Sequence, residues 1–240
     1  MITYAVYTDL GNREVNEDSV RVFEDGGRYC FVLCDGLGGH GLGDVASSIA
    51  TEHICDCLRD AESLEDFGGR ALDSVQEMLL EEQVTRHATS KMKTTAVILA
   101  IDEKNAYITY IGDSRAYCFR RNKVKFRTLD HSIPQMLVIA GEIKETAIRH
   151  HPDRNIVLRA LGVEWEEPMY EALEGVSLRK CQAFLLCSDG FWELIEEREM
   201  CELLKKSRTV EEWMDSMAAV VKENGRGMEM DNNSAIAIWC

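Results

Sequence analysis

The chain has 240 residues, with 27 Lys and Arg against 42 Asp and Glu and a formal net charge of −15. That length suits one domain with a substantial core. No segment concentrates Lys and Arg, which argues against the basic surface needed to track nucleic acid or an anionic membrane.

An acidic excess of this size has two readings, a well-solvated surface or carboxylates gathered around cations. The nine cysteines are scattered, Cys55 and Cys57 being the closest pair, with no C-x-x-C. Neither a zinc site nor a redox motif is therefore indicated, and the cysteines read as small buried hydrophobes. The start lacks the basic and apolar runs of a leader, and the longest apolar stretch, 96–101, is too short to span a bilayer. A soluble, cytoplasmic, reduced protein is the expectation.

In chain order, segments 2–8, 19–23 and 29–34 are rich in β-branched and aromatic residues and separated by Gly, Asp and Asn, which predicts an antiparallel set. Segments 43–59 and 64–86 carry apolar residues at helical spacing and predict two helices paired over one sheet face. Segments 94–101, 106–111, 115–120 and 123–128, joined by turn signals, predict a β-meander. From 132 to about 180 the pattern is irregular and proline-bearing, a candidate flap or substrate-facing insertion. A buried strand follows at 183–187. Thr209 and Glu212 form a capping box before an amphipathic helix that stops at Asn224-Gly225, and 235–239 closes as an apolar strand. Strand blocks alternating with helix blocks, rather than βαβ units, point to α+β layers.

The aspartates fall where these apolar strands end. Phe31-Val-Leu-Cys34 runs into Asp35-Gly36, Ile108-Thr-Tyr-Ile-Gly112 into Asp113, and Phe184-Leu-Leu-Cys-Ser188 into Asp189-Gly190, while Asp231 precedes the final strand. Turn preference explains any one of these positions. Four together can converge at one sheet edge, where like charges tolerate each other if cations are bound. Oxygen-only ligands favour Mg²⁺ or Mn²⁺ over zinc. Arg13, beside Glu17 and Asp18, offers a planar guanidinium for phosphate oxygens, its alternative being a surface ion pair.

The ordered series Arg13-x-x-Asn16-Glu17-Asp18, Asp35-Gly-x-Gly-Gly39, Thr94-Thr95-Ala96, Gly112-Asp-Ser-Arg115, Asp130-His-Ser132, Arg159-Ala-Leu-Gly162, Ser188-Asp-Gly190 and Asp231-Asn232 resembles the PPM (PP2C-type) metal-dependent protein serine/threonine phosphatases, in the compact form of bacterial members. The resemblance implies a four-layer α-β-β-α sandwich with two central antiparallel sheets and a metal site in the cleft at one end. It implies two Mn²⁺ or Mg²⁺ ions. Asp35 would bridge them, the Gly36 carbonyl would bind one, and Asp189 with Asp231 would complete the other. Glu17 and Asp18 would act through water, Arg13 would hold the substrate phosphate, and Asp113 with Asp189 would hold a third, weaker ion. Asp113 also has a bland alternative, an ion pair with Arg115. The implied partners are phosphoserine and phosphothreonine proteins, among them the substrates of a Ser/Thr kinase, acted on by a monomer. The alternative is a pseudophosphatase, or phosphoprotein-binding module, of the same fold.

Three positions depart from the family pattern. Leu37 stands where some relatives carry a histidine taken to protonate the leaving group, and His40 is the nearest substitute, as apt for a structural donor as for an acid. Lys93 replaces a common glycine before the Thr pair, and Ser234 a frequent threonine. His131 reads as structural, and Trp192 and Trp213 as core aromatics.

Overall fold

The computed structural model describes residues 2–38 and 41–240. Its elements are β1 (Thr3–Asp9), β2 (Asp18–Asp25), β3 (Arg28–Asp35), α1 (Gly43–Cys57), α2 (Phe67–Thr85), β4 (Ala96–Ile101), β5 (Asn105–Ile111), β6 (Arg115–Arg120), β7 (Lys123–Arg127), α3 (Ile133–Ile139), β8 (Glu171–Ala172), β9 (Val176–Ser177), β10 (Ala183–Cys187), α4 (Asp189–Trp192), α5 (Glu197–Lys206), α6 (Val210–Asn224) and β11 (Asn233–Trp239). One sheet has the order β1-β11-β10-β6-β7, the other β2-β3-β4-β5-β8, with β9 also on β5. Every pairing is antiparallel.

The strands read as continuous apolar runs because both faces are covered. Along β3, Cys30, Val32 and Cys34 pack against α1 and α2, while Phe31 and Leu33 face the second sheet. Along β10, Ala183, Leu185 and Cys187 meet α5 and α6, and Phe184 and Leu186 point inward. The period-2 alternation of a strand thus divides the apolar residues among three cores and stacks the chain as helix, sheet, sheet, helix. α6 starts as the sequence predicts, its Thr209 hydroxyl accepting the Glu212 N–H at 3.2 Å.

Two expectations need correction. β1 does not join β2 and β3; it crosses to the other sheet and pairs with β11, Thr3 opposite Trp239 and Asp9 opposite Asn233. The 94–128 block is likewise not one meander, since β4–β5 lies in one sheet and β6–β7 in the other. The switch is made at Gly112, whose φ of +102° and closeness to the Thr95 side chain suit only glycine. The 132–180 segment is also more ordered than its composition suggests. Pro134 sits in the first turn of α3, where its missing N–H costs nothing, and β8 returns to pair with β5.

The cysteines only partly match their reading: Cys30, Cys34, Cys55, Cys118 and Cys187 are buried, Cys57, Cys181 and Cys201 half-buried, and Cys240 exposed. No described helix is long and apolar enough to cross a membrane.

Candidate active site

Antiparallel pairing brings strand ends that are far apart in sequence to one pole of the sandwich. Asp18 begins β2 directly opposite Asp35, which ends β3. The Thr95 N–H, just ahead of β4, donates to the Asp35 carbonyl at 2.8 Å. Asp113 follows β5, Asp189 follows β10, and Asp231 precedes β11, whose Ala235 lies opposite Cys187. The four strand-end aspartates, with Glu17 and Asp18, therefore share this pole.

The backbone here is fixed by polar contacts that leave the carboxylates exposed to one another. The Asn232 side chain accepts from the Glu17 N–H at 2.8 Å and donates to the carbonyls of Leu10 and Val15, tying the Arg13 loop to the end of the chain. The Ser188 hydroxyl donates to Asp18 Oδ2 at 2.8 Å. Asp18 Oδ1 is buried with no hydrogen-bond partner among the described residues, a costly condition for a carboxylate. A Cβ on Gly38 would strike the Glu17 carboxylate, and one on Gly36 the Gly43 carbonyl. The glycines of the Asp35-Gly-x-Gly run are there because the loop is pressed against Glu17 and α1.

Burial and mutual repulsion raise the carboxyl pKa values. Asp35 is pushed well above the usual carboxylate range by burial, then by the charges of Asp18 and Asp189. Asp189 is pushed the same way by burial, then by Asp113 and Glu193. Asp113 rises to about 7 and Asp18 to about 6, burial again leading in both. Glu17 is raised by burial and by Asp44, with Arg13 opposing. These groups resist ionising together unless positive charge joins them.

Arg13 is more than half exposed and engages Asp231, Nη2 to Oδ2 at 2.7 Å. Asp113 does not pair with Arg115. The Arg115 side chain is instead buried in a bidentate pair with Asp130 at 2.8 and 2.6 Å and lies 3.4 Å over the Trp192 ring. Trp192 in turn donates Nε1–H to the Asp113 carbonyl at 3.0 Å. His131 accepts from the Gly112 N–H through Nδ1 and faces Glu171 on β8 through Nε2, holding the meander region to the 132–180 segment. Gly39 and His40 lie outside the described residues.

Sequence reasoning missed several neighbours of this pole. Arg154 and Asn155, from the 132–180 segment, line the cleft beside Arg13, Asp189 and Asp231, and Arg154 is held at Nε by Glu193 at 2.9 Å. Glu193 had a legible signal, since it lies one helical turn after Asp189; Arg154 had none, because its placement depends on how the segment folds back.

Four layers with an acidic cleft at one pole are the architecture of the bacterial serine/threonine phosphatases whose solved structures this chain resembles. The chain belongs to the Protein phosphatase 2C family, whose model matches residues 8–233, and the family is generally metal-dependent. It is 33% identical over 239 residues to the serine/threonine phosphatase stp of Listeria innocua, covering 96% of this chain and 93% of that protein. It is 29% identical to the serine/threonine protein phosphatase PstP of Mycobacterium tuberculosis over 98% of this chain and 44% of that longer protein. In structure it is similar to serine/threonine phosphatase Stp1 from Staphylococcus aureus, with a TM-score of 0.90, 27% identity and coverage of 100% of this chain and 95% of that one.

Proposed function

We propose that the chain hydrolyses phosphoserine and phosphothreonine in proteins, using two Mn²⁺ or Mg²⁺ ions at the acidic pole. The observation that carries this reading is the cluster itself: Asp113 is buried and Asp35 and Asp189 are half-buried at the same pole, all three with raised carboxyl pKa values, and Asp18 keeps an unpartnered buried oxygen. The donors are all oxygens, which fits hard cations. Among the described residues no three acidic, His or Cys side chains are already gathered tightly enough to enclose an ion alone.

In this reading Asp35, the Gly36 carbonyl, Asp189 and Asp231 would hold the two ions, Asp35 being shared between them. Asp113 with Asp189 offers a third, weaker place. When bound, such ions acidify water and offset the charge of a phosphoryl group. Glu17 and Asp18 orient water at the pole through their carboxylate oxygens. Arg13, turned outward at the cleft, grips the substrate phosphate, and Arg154 adds a second guanidinium from the flap side. Arg13 must then exchange or share its contact with Asp231 when it takes the phosphate. Substrates of a Ser/Thr kinase fit this chemistry.

The test is phosphate release from phosphoserine, phosphothreonine and phosphotyrosine peptides with Mn²⁺, Mg²⁺ or chelator. Turnover should require the metal, and Asp189→Asn should lower kcat by at least about 100-fold, the scale of one lost electrostatic stabiliser. Equal turnover in chelator would sink the metal reading. Phosphopeptide binding without release in any divalent cation would favour a binding module.

A further inference from the structure

At the pole away from the acidic cleft, two cysteines far apart in sequence meet. Cys118 Sγ on β6 lies 3.2 Å from Cys181 Sγ, 63 residues along the chain. Their meeting follows from topology. β6 pairs with β10 so that Phe184 faces Cys118 and Ala183 faces Phe119, and the Gln182 N–H extends that ladder to the Phe119 carbonyl at 2.8 Å. The side chain of Cys181 therefore folds over the rim of the central core, where Cys118 is fully buried. No C-x-x-C spacing announces this pair.

The two sulfurs differ in the way a reactive dithiol requires. Cys181 is half-buried and therefore reachable. Its thiol is shifted down, first because the Cys118 S–H donates to it and then because Lys125 and Arg120 lie nearby, with burial opposing. Cys118 is shifted up, by the same hydrogen bond and then by burial, so it keeps its proton. Every other cysteine that shifts goes up, Cys240 to about 12 by burial. A partly accessible thiol shifted toward its thiolate form beside Lys125 and Arg120, with a second thiol in contact, is the arrangement that peroxides oxidise selectively.

We propose that Cys118 and Cys181 form a peroxide-oxidisable dithiol, Cys181 attacking and Cys118 resolving. The Cys181 thiolate forms an S–O bond as the peroxide O–O bond breaks, and the departing hydroxide or alkoxide takes a proton from solvent. Cys118 sulfur then attacks the sulfenic acid; the S–S bond forms, the S–O bond breaks, and the leaving hydroxide takes the Cys118 proton as water. The two thiols lose the two electrons that the peroxide gains. The product staples β6 to the segment entering β10. Eight residues of largely extended chain, up to roughly 25 Å, separate Cys181 from Asp189, so the staple should act on stability and spare the phosphatase site.

The experiment treats the full chain with a small excess of hydrogen peroxide, blocks remaining thiols by alkylation and maps the peptides. The expected result is a linked Cys118–Cys181 peptide, reversed by dithiothreitol. It should come with a rise in Tm on the order of 5–10 °C for a loop of this length and unchanged phosphate release. Cys181→Ser should abolish the link. Cys118→Ala should leave a Cys181 sulfenic acid that a cyclic 1,3-diketone captures, and Cys240→Ser should leave the link intact. A Cys181–Cys240 bridge overturns the proposal, as does oxidation of Cys240 while Cys118 and Cys181 stay free. Should the buried Cys118→Ala variant fail to fold, the unsubstituted chain and Cys240→Ser decide between these outcomes.

Discussion

Removing divalent cations should make the protein less stable as pH rises from about 5 to 7.5, opposite to the usual effect of carboxylates. Asp113 and Asp18 hold their protons to about 7 and about 6 in the folded chain, against an ordinary value of 3.8. Between pH 4 and 7 the unfolded chain has released protons that the folded chain retains, so stability falls with pH. The ionised forms cost about 4 kcal/mol for Asp113 and about 3 kcal/mol for Asp18 at 1.36 kcal/mol per tenfold change in proton affinity. Because the groups repel one another, the two figures are not additive. Over the window from pH 5 to 7.5 the part that accrues is about 3–4 kcal/mol, which corresponds to roughly 5–15 °C in Tm for a chain of this size. Cations that bind only the folded state should return most of it. His131 works in the other direction: burial lowers its pKa, so folding favours the neutral ring and its penalty is relieved as pH rises toward 6.5, being gone above it. The assay is therefore the difference between Tm in Mn²⁺ and Tm in chelator at each pH, in which the His131 contribution cancels. That difference should widen steadily from pH 5 to 7.5. A difference that is flat with pH, or absent, would refute the argument that these carboxylates form one cation-seeking cluster.

Three further outcomes follow from the same geometry. Arg13→Ala should raise KM more than it lowers kcat, since a phosphate grip acts alike in ground and transition states, and Lys should substitute poorly for a planar guanidinium; steady-state kinetics that match the parent for both variants would return Arg13 to a plain ion pair with Asp231. Asp113→Asn should raise the Tm of the metal-free protein at pH 7.5 and remove one weak cation site by calorimetry while leaving the tighter ones; an unaltered titration with a lower Tm would make Asp113 structural. Arg115→Met strands the buried Asp130 carboxylate and should cost about 3–5 kcal/mol in chemical denaturation, most of it recovered in Arg115→Met/Asp130→Leu. Loss of stability that the double variant does not repair would assign the cost to packing against Trp192 instead.

The positions of most strands and of the three longest helices were legible because they rest on local signals: the capping box at Thr209, the helical stripe of Leu72, Val75 and Leu79, the apolar run into Asp35. Partnership between strands was not legible. Nothing near Thr3 says that its neighbour is Trp239, and a turn of three residues after Ile111 looks the same whether β6 continues one sheet or starts another. α5 was overlooked although Met200, Cys201, Leu203 and Leu204 recur at helical spacing, because they are scattered through a run of Glu, Arg and Lys with a low mean hydropathy. At the site, the aspartates could be located because each interrupts an apolar run. The partner of Arg115 could not: only Asp113 was near enough in sequence to be considered, whereas Asp130 reaches Arg115 across the β6–β7 hairpin. The contact of Cys118 with Cys181 was missed for the reason strand pairing was, contact across 63 residues having no local trace.

The place of β11 bears on how the molecule is made. It lies between β1 and β10 and is hydrogen-bonded to both along its length, and the loop leading into it carries Asp231 and Asn232. A nascent chain can complete the sheet of β2 to β5 early, yet β1, the first strand made, has no partner until Asn233–Trp239 has been synthesised. The acidic pole is unfinished for the same interval, so a ribosome-bound chain should be catalytically silent. Proteolytic loss of this one strand would remove activity and at the same time leave the edges of β1 and β10 open to other strands.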